Sequence, residues 1–172
     1  LSNFLGNLNI KIDKNKATLA ISHKEIINKI CDKYGFKPNK TINPINLDSF
    51  KGLRNKLSFI AGFIDGDGCI KNLHKRPDFN LRIKCHATWL NVLNKIDNII
   101  TGRNSAIINN QGYASLHIGN SIQLKKLKNV LLKLNIPLLE RKWNVINENY
   151  ISRLEIFEKR LKIIKRMIKK NK

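Results

Sequence analysis

Between residues 79 and 86 apolar and polar side chains alternate without a break. Phe79, Leu81, Ile83 and Cys85 take one side; Asn80, Arg82, Lys84 and His86 take the other. That period of two predicts a half-buried strand. Residues 113–118 repeat it, with Ala114, Leu116 and Ile118 inward and Tyr113, Ser115 and His117 outward. Residues 106–109 pair with them across Asn110-Gln111-Gly112, a hairpin. A strand over residues 69–75 precedes the first of these, joined through a turn at Arg76-Pro77-Asp78. Upstream, Ile10 and Ile12 alternate with Lys11 and Asp13, and Ala17, Leu19 and Ile21 with Thr18 and Ser22, which predicts another hairpin.

Between the strands the period changes to that of a helix. Residues 23–34 place Ile26, Ile27 and Ile30 on one side and stop at Gly35. Thr88 is read as the cap of a helix carrying Trp89, Leu90, Leu93, Ile96 and Ile100. Residues 121–134 and 150–167 are amphipathic, and residues 1–8 read as the end of a helix. Residues 36–56, with Pro38 and Pro44, read as a connection with room for one short helix. Residues 16–40 and 113–142 share one order: strand, helix, short turn with proline, lysine. That is an internal repeat.

The stretch from Lys56 to Ile70 breaks these patterns. It reads as a helix, with Ser58 as a possible N-cap, that stops at Gly68. Gly62 and Gly66 lie four apart on one face with Ala61 beside them. An interior helical glycine costs about 1 kcal/mol against alanine, so two of them need a reason. Small residues at that spacing admit a second backbone at close range. The helix ends on Asp65 and Asp67, where carboxylates meet the negative end of the helix dipole. A bound cation would offset that cost. A calcium loop beginning at Asp65 fails, because its twelfth position is Arg76 and not an acid. A plain helix followed by an Asp-Gly turn is the competing reading.

The nine residues Ile60 to Gly68, IAGFIDGDG, resemble the signature of the LAGLIDADG homing endonucleases and group I intron maturases. The resemblance implies an α+β fold: an αββαββα repeat whose antiparallel sheet forms a saddle. Helices cover one face, and the motif helix lies at the interface between repeats. The chain then divides into 1–55, a partial first repeat; 56–149, a complete repeat; and 150–172, a basic C-terminal helix. The resemblance makes Asp67 the catalytic and metal-binding acid, with the Gly66 carbonyl beside it. It assigns the helix interface to Ala61, Gly62, Asp65 and Gly66, Asp65 keeping a structural part at the helix end. Lys142 would be the basic residue near the phosphate, with Arg141 second and Lys40 its counterpart in the first repeat. The position that often carries a glutamine in the family is His86 here, followed by Ala87 and Thr88. That departure leaves a DNA contact, a general base and a merely exposed side chain all open for the histidine.

The function implied is sequence-specific hydrolysis of double-stranded DNA with Mg²⁺ or another divalent cation. The alternative on the same fold is an RNA-binding maturase with little or no nuclease activity. One motif supplies one acid, so a second motif helix must come from a homodimer partner or from a companion chain or segment carrying the first repeat. On the open face of the sheet the DNA-binding candidates are Lys71, Arg82, Lys84, His86, Tyr113, Ser115 and His117, with Lys11 from the partial repeat. A sheet with one solvated face is polar on that side in any case.

Composition agrees with a polyanionic partner. Lys and Arg number 33 against 12 acids, a formal charge of +21, and the excess runs from end to end. Nucleic acid is the usual partner of such a chain. The apolar runs are too short to span a bilayer, so no membrane partner is expected. Cys31, Cys69 and Cys85 are odd in number and fit neither a zinc spacing nor a disulfide framework. They suggest a reducing, intracellular compartment; a mitochondrion or other organelle is compatible, and the sequence does not choose. No signal peptide is visible, and a start at Leu1 suggests a processed chain or a fragment.

Overall fold

The computed structural model describes residues 10–13, 16–19, 23–72 and 78–146. The helices expected over 1–8 and 150–167, and most of the turn at 76–78, lie outside the described residues. Strands β1 (Ile10–Asp13) and β2 (Lys16–Leu19) pair antiparallel as a two-stranded sheet of their own. Helix α1 (Lys24–Tyr34) follows and ends on Gly35, whose φ of 69° is the left-handed conformation that glycine adopts without strain.

The connection holds one short 3₁₀ turn, Leu47–Ser49, capped by Asn46. Asp48 in that turn pairs with Lys56 at 3.8 Å and with Lys95, and the Lys95 ammonium holds its carboxyl below the usual range. Helix α2 (Leu53–Asp67) begins just after its N-cap Gly52, earlier than expected. Ser58 is therefore not its cap: its hydroxyl donates to the Arg54 carbonyl inside the helix. Leu57, Ile60, Ala61 and Ile64 make the buried face of α2.

The chain turns at once into β3 (Gly68–Asn72), then β4 (Phe79–His86). A 3₁₀ turn, Ala87–Trp89, with His86 at its N-cap, leads into α3 (Leu90–Thr101), whose own N-cap is Trp89 and not the expected Thr88. Strands β5 (Ile107–Ile108) and β6 (Tyr113–Ile118) precede α4 (Ser121–Lys133) and the single turn α5 (Glu140–Trp143). From α2 onward the order is αββαββα, as expected. The four strands lie in the order β3-β4-β6-β5, each antiparallel to its neighbour.

Register fixes the two faces. Leu81 opposes Ile118, Ile83 opposes Leu116 and Cys85 opposes Ala114 on the helix-covered side. Their core continues into Leu93 and Ile96 of α3 and Leu124 and Leu131 of α4, all fully buried. Asp97, an acid inside that core at 1% exposure, accepts from the Thr101 hydroxyl and from the Ser105 backbone N–H and hydroxyl. Those bonds compensate its burial and tie down the turn after α3.

A ladder of rings joins the connection to α2. Tyr34 stacks on Phe50 at 5.0 Å, Phe50 meets Phe59 at 4.9 Å, Phe59 stacks on Phe63 at 5.8 Å and Phe63 on Trp89 at 5.1 Å. Each such pair adds about 0.5–1.5 kcal/mol beyond its buried area. Trp89 Nε1 also donates to the carbonyls of Lys40 and Thr41, both at 3.1 Å.

Candidate functional site

The C-terminal end of α2 brings together most of the expected residues. Gly68 is demanded by contact and not by its φ of −83°. A Cβ there would sit 2.7 Å from the Ile64 carbonyl oxygen and 2.9 Å from its Cα. The helix stops on this residue, and β3 leaves directly.

Asp65 is bound into the protein. Its Oδ1 accepts from Trp143 Nε1 at 2.6 Å and its Oδ2 from the Leu139 backbone N–H at 3.1 Å. Trp143 is 1% exposed, so its ring N–H needs this partner. Lys142 places its amino group on the carbonyls of Ile64 (3.0 Å), Gly66 (3.4 Å) and Gly68 (2.6 Å). An ammonium there complements the helix dipole and adds a donor to the carbonyls at the helix end, of which that of Ile64 also accepts from the Gly68 backbone N–H. The basic residue expected near a phosphate thus sits first on the end of the motif helix. The contacts of Trp143 and Leu139 with Asp65 were not read from the sequence; a tryptophan beside Lys142 was the available hint.

Asp67 differs from Asp65. It is exposed, and no hydrogen bond or ion pair engages its carboxylate among the described residues. Cys85 lies close by: burial pushes its thiol up to about 11, and the Asp67 charge adds to the shift. At neutral pH the thiol therefore stays protonated, a poor nucleophile and a poor metal ligand.

The glycine face of α2 is open. Gly62 and Gly66 are exposed, and a Cβ on either would meet nothing within 4 Å. Ala61 does not share this face, a correction to the expected interface. It is 1% exposed because the helix turns it, with Ile60 and Ile64, into this chain's own core. Asp65 likewise is held toward α5. Both glycines line a groove of about 470 Å³, together with Phe59, Phe63 and Trp89 and with residues from Gly35 to Ile45 on its other side. Lys84, His86 and Asp67 belong to the same lining.

The open side of the sheet carries the other expected residues. Arg82 opposes His117, Lys84 opposes Ser115 and His86 opposes Tyr113. Lys71, Arg82, Lys84, Tyr113 and His117 are exposed; His86 and Ser115 are half-buried. Lys84 Nζ stands 4.2 Å over the Tyr113 ring, a cation–π contact. Asn80 belongs to this face by register but is covered, at 3% exposure, contrary to the simple alternation. Lys11 lies in β1, opposite Thr18 in the separate two-stranded sheet.

Can these residues hold a divalent cation? The donors at the tip of α2, the Asp67 carboxylate and the Gly66 carbonyl, are hard oxygens, as Mg²⁺ and Ca²⁺ require. Lys142 already approaches that carbonyl. Among the described residues no group of three His, Cys, Asp or Glu gathers anywhere. The chain's share is thus compatible with such an ion but small, and other oxygens must complete the shell.

An acid-tipped, glycine-faced helix set over a basic antiparallel saddle defines the homing-endonuclease type of fold. Residues 60–149, more than half of the chain, match the family model described as LAGLIDADG endonuclease, and the chain belongs to that family. Among solved structures it is similar to the homing endonuclease I-CvuI in complex with its target in the presence of Ca. There the identity is 21% and the TM-score 0.40, over 52% of this chain and 60% of that one. A second I-CvuI structure, with the I-CreI target and Mg and the DNA not cleaved, matches at 22% identity and TM-score 0.40. It covers 51% of this chain and 59% of the other. The chain thus spans about three fifths of the length of those proteins. No curated protein matches it. Among the described residues no helix is long and apolar enough to cross a membrane.

Proposed function

We propose that this chain is one part of a divalent-cation-dependent endonuclease that hydrolyses double-stranded DNA at a specific sequence. The observation that carries this is Asp67: an exposed carboxylate without a partner among the described residues, at the tip of a helix whose glycine face is uncovered. The neighbouring Asp65 carboxylate and the Lys142 ammonium, by contrast, are both engaged.

In this reading the exposed row on the saddle grips DNA in the major groove, which accepts a two-stranded ribbon. Lys71, Arg82 and Lys84 contact phosphates or guanine edges, while Tyr113, Ser115 and His117 take the remaining base or backbone contacts. Lys11 joins them from the first hairpin. Asp67 and the Gly66 carbonyl would hold a divalent cation, which when bound supplies Lewis acidity and a more acidic water. Lys142 fixes the helix end, and its positive charge stabilises a nearby phosphate. Asp65 anchors that helix end to α5.

The glycine face of α2 receives a second motif helix, from a second copy or from a companion segment carrying the first repeat. The molar mass in solution distinguishes these. Gly62→Ala and Gly66→Ala are each expected to raise the stability of the isolated chain by about 1 kcal/mol, because the helix gains and nothing clashes. Gly62→Leu should fold equally well yet fail to assemble in sedimentation. Unchanged assembly would remove the interface from this face.

With a formal charge of +21, DNA affinity is expected to fall by about 10³-fold or more between about 50 and 200 mM salt, as for proteins making several phosphate contacts. A titration by fluorescence anisotropy checks this; a flat response would exclude the basic saddle as the DNA-binding surface. Incubation with a duplex library and Mg²⁺ tests the activity itself. No cleavage, together with tight binding of group I intron RNA, would turn the reading toward a maturase.

A further inference from the structure

The end of β4 carries a histidine whose two ring nitrogens have different surroundings. Nδ1 of His86 faces the Thr88 backbone N–H at 3.4 Å and the Thr88 hydroxyl at 3.1 Å. The hydroxyl can donate or accept, but a backbone N–H can only donate, so both contacts are hydrogen bonds together only when Nδ1 presents its lone pair. In the neutral ring the proton then sits on Nε2. This bond also makes His86 the N-cap of the 3₁₀ turn Ala87–Trp89. Nε2 has no partner among the described residues, and the side chain lines the groove that Asp67 and Lys84 share.

We propose that His86 is a fixed hydrogen-bond donor, its Nε2–H directed at a phosphate oxygen of the bound nucleic acid beside Asp67, and not a general base. To accept a proton in the neutral state the ring would have to use Nδ1, which faces its own backbone and not the groove. The proposal rests on the nucleic-acid-binding reading above, but its tautomer is a property of the free protein.

Two substitutions separate the nitrogens. Asn carries an oxygen where Nδ1 stands and preserves the cap without reaching the groove; Gln carries an amide that reaches the position of Nε2. His86→Gln is expected to bind a random-sequence duplex within about threefold of the parent. His86→Asn should lose about tenfold, the scale of one hydrogen bond to a charged acceptor, with its melting temperature unchanged. A purely structural histidine gives the reverse order, Asn rescuing and Gln not, and would overturn the proposal.

Long-range ¹H–¹⁵N correlation spectra of the ¹⁵N-histidine-labelled chain report the tautomer directly. The Nε2–H pattern is expected for His86, and an Nδ1–H form sinks the idea. If the chain cleaves DNA, the pH profile of His86→Gln should match the parent; loss of a pH-dependent limb would mean a base. Absence of cleavage in every variant would count against the nuclease reading while leaving the tautomer and binding results to judge the histidine.

Discussion

Asp67→Asn is expected to reduce cleavage of duplex DNA by about 10³-fold or more, the scale of removing a group that holds a catalytic cation. Folding should not suffer. The side chain is exposed and makes no hydrogen bond or ion pair among the described residues, so nothing is orphaned by the change. Removing a carboxylate from a helix C-terminus should even add a few tenths of a kcal/mol, because the dipole no longer opposes it. Binding should persist or tighten, since one negative charge leaves a basic surface. The measurement is a matched set: cleavage of a duplex library with Mg²⁺, anisotropy with the same DNA, and a thermal melt. Equal cleavage by Asp67→Asn and the parent would end the assignment of Asp67 as the metal-binding acid.

The neighbouring acid should behave in the opposite way. Asp65→Ala is expected to destabilise the chain by about 2–4 kcal/mol, because it strips the partner from a buried indole N–H and from a backbone N–H. Trp143 at 1% exposure cannot turn to water for a replacement. Asp65→Asn should cost less, since its amide oxygen can keep one of the two bonds. Denaturant unfolding followed by tryptophan fluorescence gives both values. If Asp65→Ala unfolded at the parent's midpoint, the structural part assigned to Asp65 would fall. Two residues apart in sequence, the acids are thus separated by one property: whether the carboxylate already has a donor.

What could be read beforehand was local. The alternation along residues 79–86 and 113–118 gave both strands and the side that each residue takes, because that period is a direct consequence of the pleat. The spacing of Gly62, Gly66 and Asp67 gave the motif helix and its tip. Where the reading erred, a competing local option or a distant contact decided the matter. Ser58 could have capped a helix but instead bonds back to Arg54, since the helix starts at Leu53. Ala61 looked equivalent to the glycines because it is small; only the position of the core shows that it faces the other way. Asn80 is polar at a polar position yet covered. The partners of Asp65 and Lys142 lie more than 70 residues away, and no window along the chain contains them. His86 was visible as a departure from the family, but its tautomer depends on a backbone N–H two residues on.

The ring ladder from Tyr34 to Trp89 has a mechanical consequence. It bolts the motif helix on one flank to the incoming connection and, through the indole, to the turn that follows β4. A twist of that helix about its own axis would shear several stacked contacts at once. Whatever docks on the glycine face therefore meets a preset surface, and recognition must come from the shape of the incomer and not from yielding by the receiver.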